Sequence, residues 1–367
     1  MQLIRPTPAV EAIPAMTPFI GPEQLMRETG HGELVRLGAN ESAFGVSPKA
    51  LAAMTAELGR LSWYGDPESF ELREALSQKH GCRLEELVVG AGIDDIMGLV
   101  VRAYVAPGGA ALTTRGSYPT LNYHVTGYGG RLVYGRYHDD GRVDLESLVE
   151  AARAEQPSLI YLANPDNPSG TFIGASEMAR LFDALPRNAV LLLDEAYADF
   201  VDESALLQTS IEDRLIRTRT FSKAYGMAGA RIGYAIASEA VIQTLQKIRL
   251  HYGVNRNPQI GALASLHDEP FRAEVVARVA EARNDYCRIA ADLGLSSIES
   301  NTNFVCIDLG TAERATRVMN ELLRRGVWIR KPGLPPLDRF VRVSCGTAPM
   351  RATFETFFRE IVAQVAA

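Results

Sequence analysis

Apolar and polar positions fall into short blocks along this chain, and their period switches repeatedly between helical and strand-like. "SFELREALSQKHG" carries apolar residues at helical spacing and stops at a glycine, which predicts a helix. "EELVVGAG" follows as a short buried strand running into a glycine turn. "IDDIMGLVVRAYVAPGG" predicts a second helix, opened by two aspartates and ended at Pro107. "AALTT" and "GRLVYGRY" read as strands, and "DLESLVEAARAE" as a helix with Asp144 as its N-cap. Four further β-rich runs, "SLIYLANP", "AVLLLDEA", "RLIRTRTF" and "RIGYAIAS", are mostly separated by helical segments such as "ASEMARLFDALP". Short apolar strands alternating with helices imply an α/β domain, a mostly parallel sheet covered by helices on both faces.

After Ser238 the pattern becomes almost wholly helical, and its length predicts a helix leading out of the large domain. The tail returns to an α+β pattern, "TNFVCIDL", "ATRVMNELLRRG", "VWIRKPG", "RFVRVSCG" and a last helix, suited to a smaller C-terminal domain. The first forty or so residues are broken by prolines and poor in periodicity, consistent with an arm that packs on another domain or another subunit. The expected division is a large domain over residues 45–255, with a smaller unit made of the arm, 1–44, and residues 256–367.

Composition narrows the function classes. A chain of 367 residues with 47% hydrophobic and 22% charged residues fits a globular protein of one large and one smaller domain. A formal charge of −6 argues against a nucleic-acid partner, which would need a concentrated basic surface. The short basic cluster "RLIRTRT" is interleaved with apolar residues and reads as a strand edge or a site wall. No window approaches twenty apolar residues, and the proline-rich start reads as neither a signal peptide nor a membrane span. Cys82, Cys287, Cys306 and Cys345 stand far apart, which removes a zinc ribbon and a dense disulfide framework and fits a reducing cytoplasm. The six histidines show no metal-ligand spacing, so no metal is expected.

In open α/β sheets, ligands sit beyond the carboxyl ends of the strands. The turns after the apolar runs carry "GAGIDD", "ANPDNPSG", "DEAYADF" and "FSKAYGMAGAR". "GAGIDD" is either a tight turn with an acidic helix start or a phosphate cradle formed by the amides of Ile93 and Asp94. "NPDNPSG" is a turn by composition, but Asn167 closely follows an apolar strand and can point back into the crevice. Asp194 closes a buried strand and needs a cationic partner, either a structural arginine or a cofactor. Tyr197, three residues on, can reach the same ligand. Lys223, between Ser222 and Arg231 in a segment of small residues, is expected to be desolvated beside another cation. Both effects push its pKa down and make it a nucleophile for a carbonyl. A phosphate cradle, a buried aspartate and an activated lysine together describe a pocket for pyridoxal 5′-phosphate.

With these residues in place, the sequence resembles the fold-type I pyridoxal-phosphate aminotransferases, and most closely the histidinol-phosphate aminotransferase branch of class I/II. The likeness rests on "NPDNPSG", "DEAYADF" and "SKAYGMAGARIGY" at family-like separations, and extends from "LGANES", which holds Asn40, to "VRVSCGT". It implies that Lys223 carries the cofactor as a Schiff base, that Asp194 keeps the pyridine nitrogen protonated, and that Asn167 and Tyr197 bond the ring's phenolic oxygen. Ser222, Arg231 and the amides around Gly92, Ile93 and Asp94 would hold the phosphate. Tyr64 would reach that phosphate from a neighbouring subunit, which implies a homodimer. Arg342 would clamp a carboxylate or a phosphate, with Arg330, Phe19 and Asn40 completing the substrate side.

Three positions depart from the family pattern. Leu121 stands where an aromatic usually stacks on the cofactor, so either Leu121 packs on the ring or Tyr123 or His124 takes over. Phe19 stands where a tyrosine is frequent, and Ile93 replaces a small residue. The implied reaction passes the amino group of histidinol phosphate or a related donor to a keto acid, most often 2-oxoglutarate. An aromatic amino acid as donor and a phospho-amino-acid decarboxylase are the alternatives.

Overall fold

The computed structural model describes residues 4–14 and 19–365. Seven strands form the central sheet: β2 (Leu87–Gly90), β3 (Ala110–Thr114), β4 (Arg131–Gly135), β5 (Leu159–Ala163), β6 (Val190–Asp194), β7 (Leu215–Thr220) and β8 (Gly233–Ile236). A short β1 (Val35–Arg36) precedes them, and β9 (Phe304–Asp308), β10 (Val327–Trp328) and β11 (Phe340–Ser344) follow. The order across the large sheet is β2-β8-β7-β6-β5-β3-β4, all parallel except β8, which runs antiparallel to both neighbours.

The α/β expectation therefore holds, and its cause is visible strand by strand. Every residue of β3, β5 and β6 is buried, because helices cover both faces. The helices Ile93–Tyr104 and Glu239–Gln246 cover one face, packing Ile96, Val100 and Leu245 on Leu159, Tyr161 and Leu192. Leu145–Glu155 and Ala175–Ala184 cover the other, with Leu148, Met178 and Phe182 on Ile160, Leu191 and Leu193. Each fully buried leucine contributes about 1.5–3 kcal/mol, so these contacts hold the helices on the sheet. Asp144 caps its helix, accepting the Ser147 amide at 2.9 Å.

"RLIRTRT" is not a sheet edge. It forms β7, an interior strand between β6 and β8, and two of its arginines share one buried carboxylate that follows β6: Glu195 accepts Arg217 at 2.8 Å and Arg219 at 3.0 Å.

In the C-terminal part, β9 pairs antiparallel with β11, and β1 of the N-terminal segment pairs parallel with β10. Leu37, Val305, Ile307, Val341, Phe354 and Phe358 form its core. The boundary expected at residue 255 falls too early. The helix Arg256–Leu266 packs on the helices Pro48–Ala56 and Phe70–His80, and its Ala262 is buried with Leu72, Leu76 and Phe221. The 24-residue helix Glu269–Asp292 then leads away. No helix among the described residues is long and apolar enough to cross a membrane.

Candidate active site

Parallel strands point their carboxyl ends the same way, so the loops after β2, β3, β5, β6 and β7 gather at one edge of the sheet. There they meet Asn40 and the β11 residue Arg342 across a cavity of about 1010 Å³. Ile93, Asp94, Asn167, Asp194, Tyr197, Ser222, Lys223, Arg231, Phe19, Asn40, Arg330 and Arg342 all line it.

Gly92 caps the helix Ile93–Tyr104 with φ 88°, a left-handed conformation suited to glycine. A Cβ there would stand 2.6 Å from an Arg231 guanidinium nitrogen, so the missing side chain is what lets Arg231 lie over the helix start. The first-turn amides of that helix have no intrahelical acceptor and carry the positive end of its dipole. Ile93 turns its side chain into the core, so its bulk does not fill the cradle. Arg231 also stands 3.5 Å from the Asp94 carboxylate, and Ser222 accepts a hydrogen bond from the Thr220 hydroxyl at 2.9 Å. Free amides, a hydroxyl and a guanidinium make a donor set for a doubly charged anion.

Asp194 ends β6 with Oδ1 accepting the Ala196 amide at 3.0 Å and Oδ2 accepting the Tyr161 hydroxyl at 2.8 Å. Burial raises its carboxyl to about 6, and the Tyr161 hydrogen bond opposes that rise. The structural-arginine alternative fails here: Arg217 and Arg219 are taken by the adjacent Glu195. Asp194 faces the cavity with no arginine among its hydrogen-bond partners, which leaves it available to a ligand cation.

Lys223 donates to the Asn40 carbonyl at 3.1 Å, and its Nζ lies 5.6 Å from the centroid of the Tyr197 ring. Burial, followed by the positive charge of Arg342, pushes its ammonium down to about 8. Asn40 adopts φ 54° and donates its side-chain amide to the Tyr197 hydroxyl at 3.0 Å. Asn167 donates to the same oxygen at 3.4 Å and accepts Arg342 at 2.6 Å. Arg342 keeps its buried Nε without a protein acceptor among the described residues. Arg330 and Arg342 are paired through a backbone bridge, and both line the cavity. Arg330 lies 5.3 Å from the centroid of Phe19 and donates to the Ile20 carbonyl at 2.8 Å.

Leu121 requires correction. It is fully buried in the core with Ile96 and Met97, because the helix Thr120–Gly127 turns it toward the sheet. Tyr123 and His124 do not line the cavity either; His124 bonds the Asp94 carbonyl at 3.0 Å. The aromatic residue of this segment that does line the cavity is Tyr118, whose hydroxyl donates to Asp94 at 3.1 Å and whose ring stacks with Phe19, centroids 6.1 Å apart. Sequence reasoning passed over it, although Tyr118 sits in the turn after β3, where the strand-end rule already pointed. Tyr64 does not line this cavity: it is 77% exposed and stacks on Tyr252 at 4.4 Å.

The model of a family described as aminotransferase class I and II matches residues 32–359. A protein of Carboxydothermus hydrogenoformans named histidinol-phosphate aminotransferase 2 is 33% identical over 94% of this chain and 96% of its own. A histidinol-phosphate aminotransferase of Roseiflexus castenholzii is 36% identical over 92% of this chain and 93% of its own. The crystal structure of histidinol-phosphate aminotransferase from Sinorhizobium meliloti in complex with pyridoxal-5′-phosphate superposes with a TM-score of 0.94 at 40% identity, covering 99% of each chain.

Proposed function

Because this chain belongs to the class I and II aminotransferases and uses pyridoxal 5′-phosphate, we propose that it moves the amino group of histidinol phosphate, or of a closely related donor, to a keto acid, with 2-oxoglutarate as the expected acceptor. One observation carries the specificity: Arg330 and Arg342 stand paired on the wall of a cavity that also holds Lys223. Two arginines on one cavity suit a donor bearing a phosphate and an acceptor bearing two carboxylates, because the planar fork binds either anion by donating paired hydrogen bonds.

The cavity's donor set fits the cofactor. Arg231, Ser222 and the amides at Ile93 and Asp94 would hold its phosphate. Asp194, free of arginine, would face its ring nitrogen, Asn167 and Tyr197 its phenolic oxygen, and Lys223 its aldehyde. When bound, the cofactor supplies an electron sink for negative charge at the donor's Cα. The protein's own residues do the rest. Arg342 binds an anionic group of the substrate and orients the Cα–H bond, and Asn40 and Asn167 hold Tyr197 in place. Lys223, once free, serves as the base that takes the Cα proton and delivers it on the same side of the site. Phe19 and Tyr118 give the mouth an aromatic wall, the observation that favours an aromatic amino acid as the second reading.

Adding histidinol phosphate to the yellow holoenzyme should bleach its absorbance at low donor concentration, with phenylalanine acting only at much higher concentration. Bleaching by phenylalanine alone would replace the donor and keep the chemistry. Capture of the cofactor by apoenzyme should accelerate as pH rises through about 8, because the neutral amine is the reactive form and burial lowers the Lys223 ammonium to that value. A stopped-flow midpoint at the ordinary lysine value, about 10.4, would refute an activated lysine.

The working unit is taken to be a homodimer in the cytoplasm. Leu61, Trp63, Tyr64, Phe70, Leu250 and Tyr252 are exposed apolar side chains, and stacking of Tyr64 on Tyr252 brings their two segments together. A second copy covering them would bring Tyr64 to the neighbouring site. A monomer mass in sedimentation equilibrium would rule this out. The four cysteines are free, in keeping with a reducing compartment. The proposed division is a large cofactor-binding unit that extends through the helix Arg256–Leu266, and a smaller unit built from the N-terminal segment and the C-terminal part.

A further inference from the structure

Tyr161 lies in the middle of β5, opposite Leu192 of β6, one strand period before the ends that carry the site. Its position calls for an apolar side chain. The ring has no exposure and packs in the same core as Ile96, Met97 and Leu192. The hydroxyl is the anomaly, since a buried hydroxyl without a partner is costly. It reaches forward to Asp194 Oδ2 at 2.8 Å, and it is the only side-chain donor that the aspartate has among the described residues. Tyr161 does not line the cavity, so it touches neither cofactor nor substrate.

We propose that Tyr161 is a positioning residue for the reaction: by donating to Asp194 Oδ2 it fixes that carboxylate in one orientation and in its ionised form, facing the cofactor's ring nitrogen. The inference rests on the reading of Asp194 given above. Two donors from opposite sides, the Tyr161 hydroxyl and the Ala196 amide, clamp the two oxygens and leave the remaining lone pairs for the cavity.

The electrostatic setting makes the hydrogen bond count. Burial works against the ionised carboxylate, and the negative charge of Asp94, at the start of the helix Ile93–Tyr104, works in the same direction. The Tyr161 hydrogen bond, the Ala196 amide and the positive charge of Lys223 after β7 oppose them. Tyr197 after β6, Tyr118 after β3 and Asp166 after β5 complete the titratable groups around the pair. Only the phenol is both uncharged at neutral pH and bonded directly to the carboxylate through a side chain.

The test is Tyr161→Phe, which keeps the ring and removes one oxygen. Cofactor affinity is measured by equilibrium dialysis from pH 5.5 to 8.5 for wild type, Tyr161→Phe and Asp194→Asn. In wild type, affinity should fall as pH drops through about 6, where Asp194 takes up its proton in the apoenzyme. Without the hydroxyl the ionised form loses support and the inflection should move upward by about one pH unit. Wild type and Tyr161→Phe should then differ by about fivefold at pH 6, by somewhat more at the acid end of the range, and converge toward pH 8.5. A packing defect alone would weaken binding equally at every pH. An unmoved inflection in Tyr161→Phe, alongside a large loss in Asp194→Asn, would overturn the role of Tyr161 and leave the site assignment standing. Asp194→Asn binding the cofactor with the wild-type pH profile would instead overturn the assignment of Asp194 itself.

Discussion

Lys223→Ala is expected to lower turnover by at least about 10⁴-fold while the protein still folds and still binds pyridoxal 5′-phosphate noncovalently. The size follows from two losses at one atom. Of the two lysines that line the cavity, Lys223 and Lys331, it is the one that follows a strand of the large sheet beside Asp194, so its removal takes away the covalent attachment. It also removes the base for the Cα proton, a contribution of about 10²–10⁴-fold by itself. Folding should survive because the Lys223 side chain makes one hydrogen bond among the described residues, to the Asn40 carbonyl, and Asn303 donates to that same oxygen at 3.0 Å. Loss of a buried ammonium whose pKa is depressed removes a destabilising charge. That destabilisation is full below the folded value of about 8 and is relieved as pH rises toward the unfolded value, so the variant's melting temperature at pH 7 should equal or exceed that of the wild type. Steady-state rates with thermal unfolding at pH 7 decide it; a variant retaining a tenth of the wild-type rate would contradict the role.

Asp194→Asn should cost about 10²–10³-fold in turnover, in the range found when a preorganised electrostatic partner is removed. The amide keeps the shape of the side chain and can accept from either Tyr161 or the Ala196 amide, not from both, and it presents no negative charge to a pyridine nitrogen. The prediction depends on Asp194 being free of arginine, which Glu195 secures by binding both Arg217 and Arg219. Were Asp194 a structural ion-pair member, the same substitution would chiefly lower the melting temperature. Single-turnover rates measured with histidinol phosphate at saturating cofactor distinguish the two, since a structural role leaves the rate per bound cofactor unchanged.

Much of this was legible in the residues. The strands of the large sheet could be read because strands buried on both faces are continuous apolar runs, and "SLIYLANP" and "AVLLLDEA" admit few other environments. The strand-end rule then points to Asn167, Asp194 and Lys223, which line one cavity. What escaped has physical reasons. Leu121 was misplaced because a helix of eight residues offers too little pattern to say which side turns inward. Tyr118 was passed over in a turn without a glycine-rich or lysine signal. The Glu195 ion pairs join residues more than twenty positions apart, and sequence alone does not tell which of two adjacent carboxylates an arginine will choose. The boundary at 255 failed because helical periodicity reveals an apolar stripe but not the partner that covers it, here Pro48–Ala56.

The central claim is that Lys223 is the amine that holds the cofactor. The most direct measurement is borohydride reduction of the yellow holoenzyme, followed by proteolysis and mass spectrometry of every lysine peptide. The account predicts the reduced cofactor's mass on the peptide containing Lys223 and on no other. Recovery of that mass on Lys49, Lys79, Lys247 or Lys331, with Lys223 unmodified, would contradict it.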